Sequence, residues 1–187
     1  MRRAGEPNGA SRNQQGMLLH DWETIILRLG LATLVGLALG FEREWRGRDA
    51  GLRTHALVAL SSAMITISAL SLSEDIHARG DESDPLRVIQ GLAQAIGFIA
   101  GGLIFVRGGD VRNMTTASSL WMAAAIGIAA GIGQFMLVAI ASALALLLLV
   151  AVGAVERLFP TPQKSDSSGK ELQTPNRRGA IDNGQGD

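Results

Sequence analysis

The sequence predicts an all-α integral membrane protein of about five transmembrane helices. Three observations carry that prediction. Apolar runs long enough to cross a ~30 Å hydrocarbon layer recur along the chain, separated by short charged stretches. The 187 residues include 23 glycines but only 4% aromatics, a composition suited to helices that pack closely in lipid. The hydrophobic share is 47% and mean hydropathy is positive. The length leaves room for one transmembrane domain, over 21–159.

Residues 1–20 are rich in Gly, Asn, Gln and Arg, have no apolar period, and read as a disordered leader. They make a poor signal peptide, because the apolar run after them leads into charge and not into a small-residue cleavage site. The first helix is expected over 22–40, with Trp22 at the interface. Arg28 lies about two turns inside it, where a charge costs roughly 2.5–3.5 kcal/mol at mid-bilayer. It is expected to snorkel outward toward Glu23 or Asp21, the other option being the bundle interior. Gly36 and Gly40 form a small-xxx-small face for close helix packing.

Next comes the most charged stretch, 40–55, holding Glu42, Arg43, Glu44, Arg46, Arg48, Asp49 and Arg53. Between two spans it reads as a membrane-surface hairpin. The second helix is expected over 55–72, with hydroxyls at Ser61, Ser62, Thr66 and Ser68. The acidic loop over 73–85 reads as solvated, since nothing fixes its carboxylates at a metal-ligand spacing. Any metal ligand is therefore left unassigned.

The third helix is expected over 86–106, after Asp84-Pro85. Gln90, Gln94, Gly97 and Gly101, spaced four, three, four, fall on one stripe. A glutamine in lipid leaves an amide unsatisfied, so the stripe should face protein. A second charged loop over 107–114 carries Asp110 and Arg112. The fourth helix, over 115–132, carries the pair Gly127 and Gly131. All three glycine pairs are expected to face other helices. The fifth helix, over 135–155, is nearly all Ala, Leu, Val and Ile and reads as the most lipid-exposed; a disordered tail follows over 160–187.

Five spans put the termini on opposite sides. The side collecting Arg43, Arg46, Arg48, Arg53, Arg107, Arg112 and Arg157 is the richer in arginine and is expected to be cytoplasmic, with the N-terminus outside. The two charged hairpins echo each other: Arg46-Gly47-Arg48-Asp49 matches Arg107-Gly108-Gly109-Asp110, and Thr54 and Ala56 match Thr115 and Ala117 at the same offset. That pattern raises a pseudo-repeat of two helical hairpins plus a fifth helix, about an axis along the membrane normal.

Zero net charge gives no sign of a nucleic-acid partner, and the lack of cysteine removes disulfides, thiolate metal sites and cysteine nucleophiles. His20, His55 and His77 are scattered, no Ser-His-Asp set is evident, and no catalytic residue or cofactor is expected. His55, at a helix start beside Arg53, reads as structural or interfacial.

The motifs Gly40-Phe41-Glu42-Arg43-Glu44, Ala50-Gly51-Leu52-Arg53-Thr54-His55 and Asp84-Pro85-Leu86-Arg87-Val88-Ile89-Gln90-Gly91 resemble those of the MgtC/SapB family of bacterial inner-membrane proteins. So do Gly97-Phe98-Ile99, Thr115-Thr116-Ala117, Leu120-Trp121 and Ala124-Ala125-Ile126-Gly127. Two places depart from the family pattern: its Gly-Ala-Gly reads Ala100-Gly101-Gly102, and its Gly-Leu before the paired threonines reads Asn113-Met114. Some members carry a soluble C-terminal domain of ACT-like type, where this sequence has a short polar tail. The resemblance implies a link to magnesium homeostasis and to membrane ATPases, and a place in the bacterial inner membrane.

Three functions follow, in falling order of support. The first is a membrane regulator acting through intramembrane contacts with another membrane protein, such as an ATPase, or with itself as a homo-oligomer. The second is a small magnesium transporter or channel, using Arg28, Gln90 and Gln94. The third is a membrane enzyme. The functional cluster is expected at Glu42, Arg43, Glu44, Asp49, Arg53, Asp110 and Arg112, with Glu42 or Glu44 pairing with Arg53 or Arg112 to join the hairpins.

Overall fold

The structure, a computed structural model, describes residues 21–107 and 110–158, and of residues 107, 110 and 152–158 the backbone alone. The expected leader and tail lie outside the described residues. Five helices follow one another: α1 (Trp22–Trp45), α2 (Leu52–Ala78), α3 (Leu86–Leu103), α4 (Met114–Ile132) and α5 (Phe135–Leu158). Strands β1 (Phe105–Arg107) and β2 (Asp110–Arg112) form an antiparallel ribbon between α3 and α4. Helices α1 to α4 are each long and apolar enough to cross a membrane, and α5 is apolar over Phe135–Ala151. The chain is a multi-pass, all-α membrane protein.

The charged stretches hold more regular structure than expected. Helix α1 continues through Glu42, Arg43 and Glu44 to Trp45. Two i,i+4 pairs favour that extension: Glu42 pairs with Arg46, and the rings of Phe41 and Trp45 lie 5.9 Å apart. Helix α2 likewise takes in Ser73, Glu74 and Asp75, where the Ser73 carbonyl accepts a bond from His77 Nδ1 at 2.7 Å. Helix α3 stops early. Ile104 is extended, and Phe105 and Val106 enter the ribbon, with Val106 opposite Val111. Gly101-Gly102 weakens the helix there, and aromatic and β-branched residues favour a strand. The sequence between the strands is Gly108-Gly109.

Helix α4 is the centre of the bundle. Of its apolar stretch 61% is buried, against 11% for α3. Close approach of backbones explains how a helix of mostly small residues holds this place. A Cβ on Gly36 would lie 2.8 Å from Ala56 Cα, and one on Gly40 2.6 Å from Leu52 Cα, so α1 and α2 meet antiparallel at the glycines of α1. Gly127 abuts the Ala59 carbonyl and Ser62, while a Cβ on Gly131 would come within 2.8 Å of the Ala63 carbonyl oxygen. The ascending order on both helices makes α2 and α4 parallel. Helix α2 therefore receives glycines from two sides, and the core between is largely Ala32, Ala59, Ala63, Ala123 and Ala130, closed by Leu39 and Ile126.

Helix α3 differs. It packs through Leu92 and Ile96 on Ala124, Val58 and Ile128. A methyl added at Gly97 or Gly101 would meet nothing within 4 Å, and Gln90 and Gln94 are exposed. All three glycine pairs are expected at helix contacts; within one chain Gly36/Gly40 and Gly127/Gly131 abut another helix, and Gly97/Gly101 do not. The third lies on the side of α3 away from Leu92 and Ile96.

Candidate functional site

The arginine-rich end of the bundle, where α1 finishes and α2 and α4 begin, gathers most of the expected cluster. Arg43 projects from the last turn of α1 and is only 3% exposed. Its Nη2 donates to Thr116 Oγ1 at 2.8 Å and to Thr115 Oγ1 at 3.3 Å, both on the first turn of α4. A guanidinium left in hydrocarbon without acceptors would be expensive, and the paired hydroxyls offset part of that cost.

His55 lies beside this contact and is fully buried. Its Nδ1 donates to the Gly51 carbonyl at 3.0 Å, which fixes that nitrogen as protonated. Its Nε2 meets Ser119 Oγ on α4 at 3.1 Å, and the same hydroxyl lies 2.9 Å from the Thr116 carbonyl. The serine has one proton for two acceptors. A neutral ring takes it at Nε2; a doubly protonated ring donates to Ser119 and leaves the proton for Thr116.

Around this core sit three further ties. Glu44 Oε2 accepts from the Leu52 backbone N–H at 2.9 Å, capping α2 where the helix end favours negative charge. A Cβ on Gly51 would lie 2.5 Å from that oxygen, so the glycine makes room for the cap. Asp49 Oδ2 accepts from Asn113 Nδ2 at 2.5 Å, joining the α1–α2 and α3–α4 connections. Glu42 pairs with Arg46 and its side chain is 10% exposed; Arg46 Nη2 reaches the Val150 carbonyl of α5 at 3.3 Å. A groove of about 830 Å³ opens beside this pair between α1 and α5, lined by Leu34, Phe41, Trp45 and Leu146.

The structure thus brings Glu42, Arg43, Glu44 and Asp49 into one junction, but not in the expected pairing. Among the described residues neither Glu42 nor Glu44 pairs with Arg53 or Arg112, both of which are exposed. The hairpins are joined by hydroxyls, an imidazole and an amide instead. Each of these bonds links the α1–α2 end to the start of α4. The side chain of Asp110 lies outside the described residues. Sequence reasoning named Thr115, Thr116 and Asn113 as motif residues but assigned none of them, nor Ser119, to the cluster. Their signal was present as polar residues crowded into the first turns of an otherwise apolar helix.

Asn113 is the sole non-glycine of the described residues with positive φ, at 66°. Glycine adopts that conformation freely and asparagine tolerates it. Reading Asn113 where the family pattern has glycine therefore preserves the turn into α4 and adds the bond to Asp49.

At the opposite, acidic end, Arg28 does not reach for Glu23 or Asp21. Its Nη1 donates to the Gly131 carbonyl at 3.0 Å, so a cation sits on the negative end of α4. The Glu74 carboxylate lies within electrostatic reach, and one of its oxygens is buried. The loop before α3 is held by Ser83, which donates to Ser73 Oγ at 2.7 Å. Gln90 and Gln94 join neither end. No group of three His, Asp or Glu that could hold a metal ion occurs among the described residues.

The MgtC family model matches residues 29–158. The chain is 40% identical over 115 residues to an uncharacterized protein, slr0014, of Synechocystis, covering 62% of this chain and 46% of that protein. It is 42% identical over 110 residues to Protein MgtC of Salmonella typhimurium, covering 59% and 44%. It is 38% identical over 125 residues to the "Putative magnesium transporter YhiD" of Escherichia coli, covering 66% and 58%. The chain spans about half the length of the curated relatives it matches. No solved structure matches it. The matched region starts in α1, takes in the whole arginine-rich junction and runs to the last residue of α5; the chain belongs to the MgtC family.

Proposed function

We propose that the chain is a non-catalytic membrane regulator in magnesium homeostasis, acting through helix contacts on another membrane protein, such as an ATPase. It resides in the bacterial inner membrane, with the arginine-rich end in the cytoplasm and the N-terminus outside. The observation that carries this reading is the direct backbone contact of α1, α2 and α4 at Gly36, Gly40, Gly127 and Gly131. It fills the middle of the bundle with protein and makes the fold a rigid contact body. A magnesium transporter is the second reading, favoured by the name of the relative YhiD.

The test pairs two measurements on the full chain. Purification in mild detergent identifies what travels with it, and reconstitution into liposomes measures magnesium flux. A stoichiometric membrane-protein partner without flux supports the regulator. Flux above that of empty liposomes, abolished by Arg43→Leu, overturns it in favour of transport.

A further inference from the structure

Helix α3 presents Gln90, Gln94, Gly97 and Gly101 along one side, and all four are exposed. The helix is 18 residues long, about 27 Å, and Gln94 sits about 12 Å into it, near mid-span. Neither amide has a hydrogen-bond partner among the described residues. Lipid offers none, and an amide abandoned in hydrocarbon is costly. Elsewhere in this chain, glycines four residues apart mark the places where another helix backbone lies against them, at Gly36/Gly40 and Gly127/Gly131. On α3 the same spacing meets open space. Phe98, next to the stripe, is 86% exposed.

We propose that this side of α3 is the contact with a second copy of the chain. The chemistry of the stripe selects that occupant. A glutamine amide is both donor and acceptor, so it is complementary to itself. Every copy inserts with the same topology, so a two-fold axis must run along the membrane normal and bring the two α3 helices together in parallel. Gln90 then meets Gln90 of the second copy at the same depth, Gln94 meets Gln94, and the glycines below let the backbones close. A different helix would have to place polar groups at both depths. The Leu92 and Ile96 side stays on α4, so pairing disturbs nothing within the chain.

The chain has no cysteine, so single cysteines can be read without background. Gln94→Cys, Gly97→Cys, Gly101→Cys and, as a control on another side of α3, Ile99→Cys are oxidised with copper phenanthroline in native membranes. Covalent dimer at 94, 97 and 101 with little at 99 is the expected result. Equal yields at all four positions, or no dimer at any, overturn the proposal. So does cross-linking of the same three positions to a different protein. As a second measurement, single-molecule photobleaching in liposomes reads association of the Gln90→Leu/Gln94→Leu variant. Removing each amide pair should weaken it by roughly 3- to 20-fold. Unchanged association in a folded variant overturns the assignment even if cysteines cross-link.

Discussion

His55 Nε2 lies 3.1 Å from Ser119 Oγ, and these two residues stand on helices that run parallel. The bond is therefore a register mark between α2 and α4, set beside the glycine contacts of the same pair. Its energy is measurable by a double-mutant cycle with His55→Leu and Ser119→Ala, scored by thermal unfolding in detergent. Each single change should cost about 1–3 kcal/mol by stranding a buried partner. The double change should cost less than the sum, with a coupling of roughly 0.5–3 kcal/mol. Strict additivity would mean that the contact does not form.

Glycine substitutions should change sign with position. Gly127→Ala drives a methyl into the Ala59 carbonyl, which is backbone and cannot swing away, and should destabilise by about 1–3 kcal/mol. Gly30→Ala enters open space on α1 and should be neutral or stabilise by up to about 1 kcal/mol, through helix propensity. Thermal unfolding of both variants in one detergent reads the contrast.

Much of the fold was legible because hydrophobic length and Asp84-Pro85 punctuate the spans clearly. The ends were not. Interfacial helix turns such as Glu42 to Trp45 are as polar as loops, and only the pairing of Glu42 with Arg46 reveals them. The junction was half legible. Charge density pointed to Arg43, Glu44 and Asp49, whereas their partners were quiet residues, Thr116, the Leu52 N–H and Asn113. Opposite charges suggested each other from the sequence, whereas a hydroxyl, a backbone N–H or an amide carries no charge to mark it as a partner. The face of α3 was read as protein-covered from its amides, and the single chain leaves it open.

The left-handed turn at Asn113 gives a sharp test. Asn113→Gly keeps the backbone but loses the bond to Asp49, and should cost about 1 kcal/mol or less. Asn113→Val adds β-branched strain at positive φ and should cost about 1–3 kcal/mol more. Unfolding midpoints of the two variants, compared directly, carry the result; equal stability would contradict the turn.

Arg28 should act as a cap for α4. Arg28→Leu leaves the Gly131 carbonyl without its donor and should lower stability by about 1–2 kcal/mol, while Arg28→Lys retains part of it. Hydrogen exchange at the end of α4 should rise in the leucine variant. No local change there, with stability preserved, would place Arg28 at the membrane surface.

The placement of α3 on α4 has a consequence for how the protein is made. The ribosome releases α3 first, but the surface that Leu92 and Ile96 fit, at Ala124 and Ile128, belongs to a segment still being translated. Helices α1 and α2 can zip together at Gly36 and Gly40 as soon as the second is inserted. Helix α3 has only Val58 of α2 to rest on until α4 arrives, slots beside Ser62 and Thr66, and completes its seat. A chain halted between these events exposes a half-seated helix and an empty slot at once.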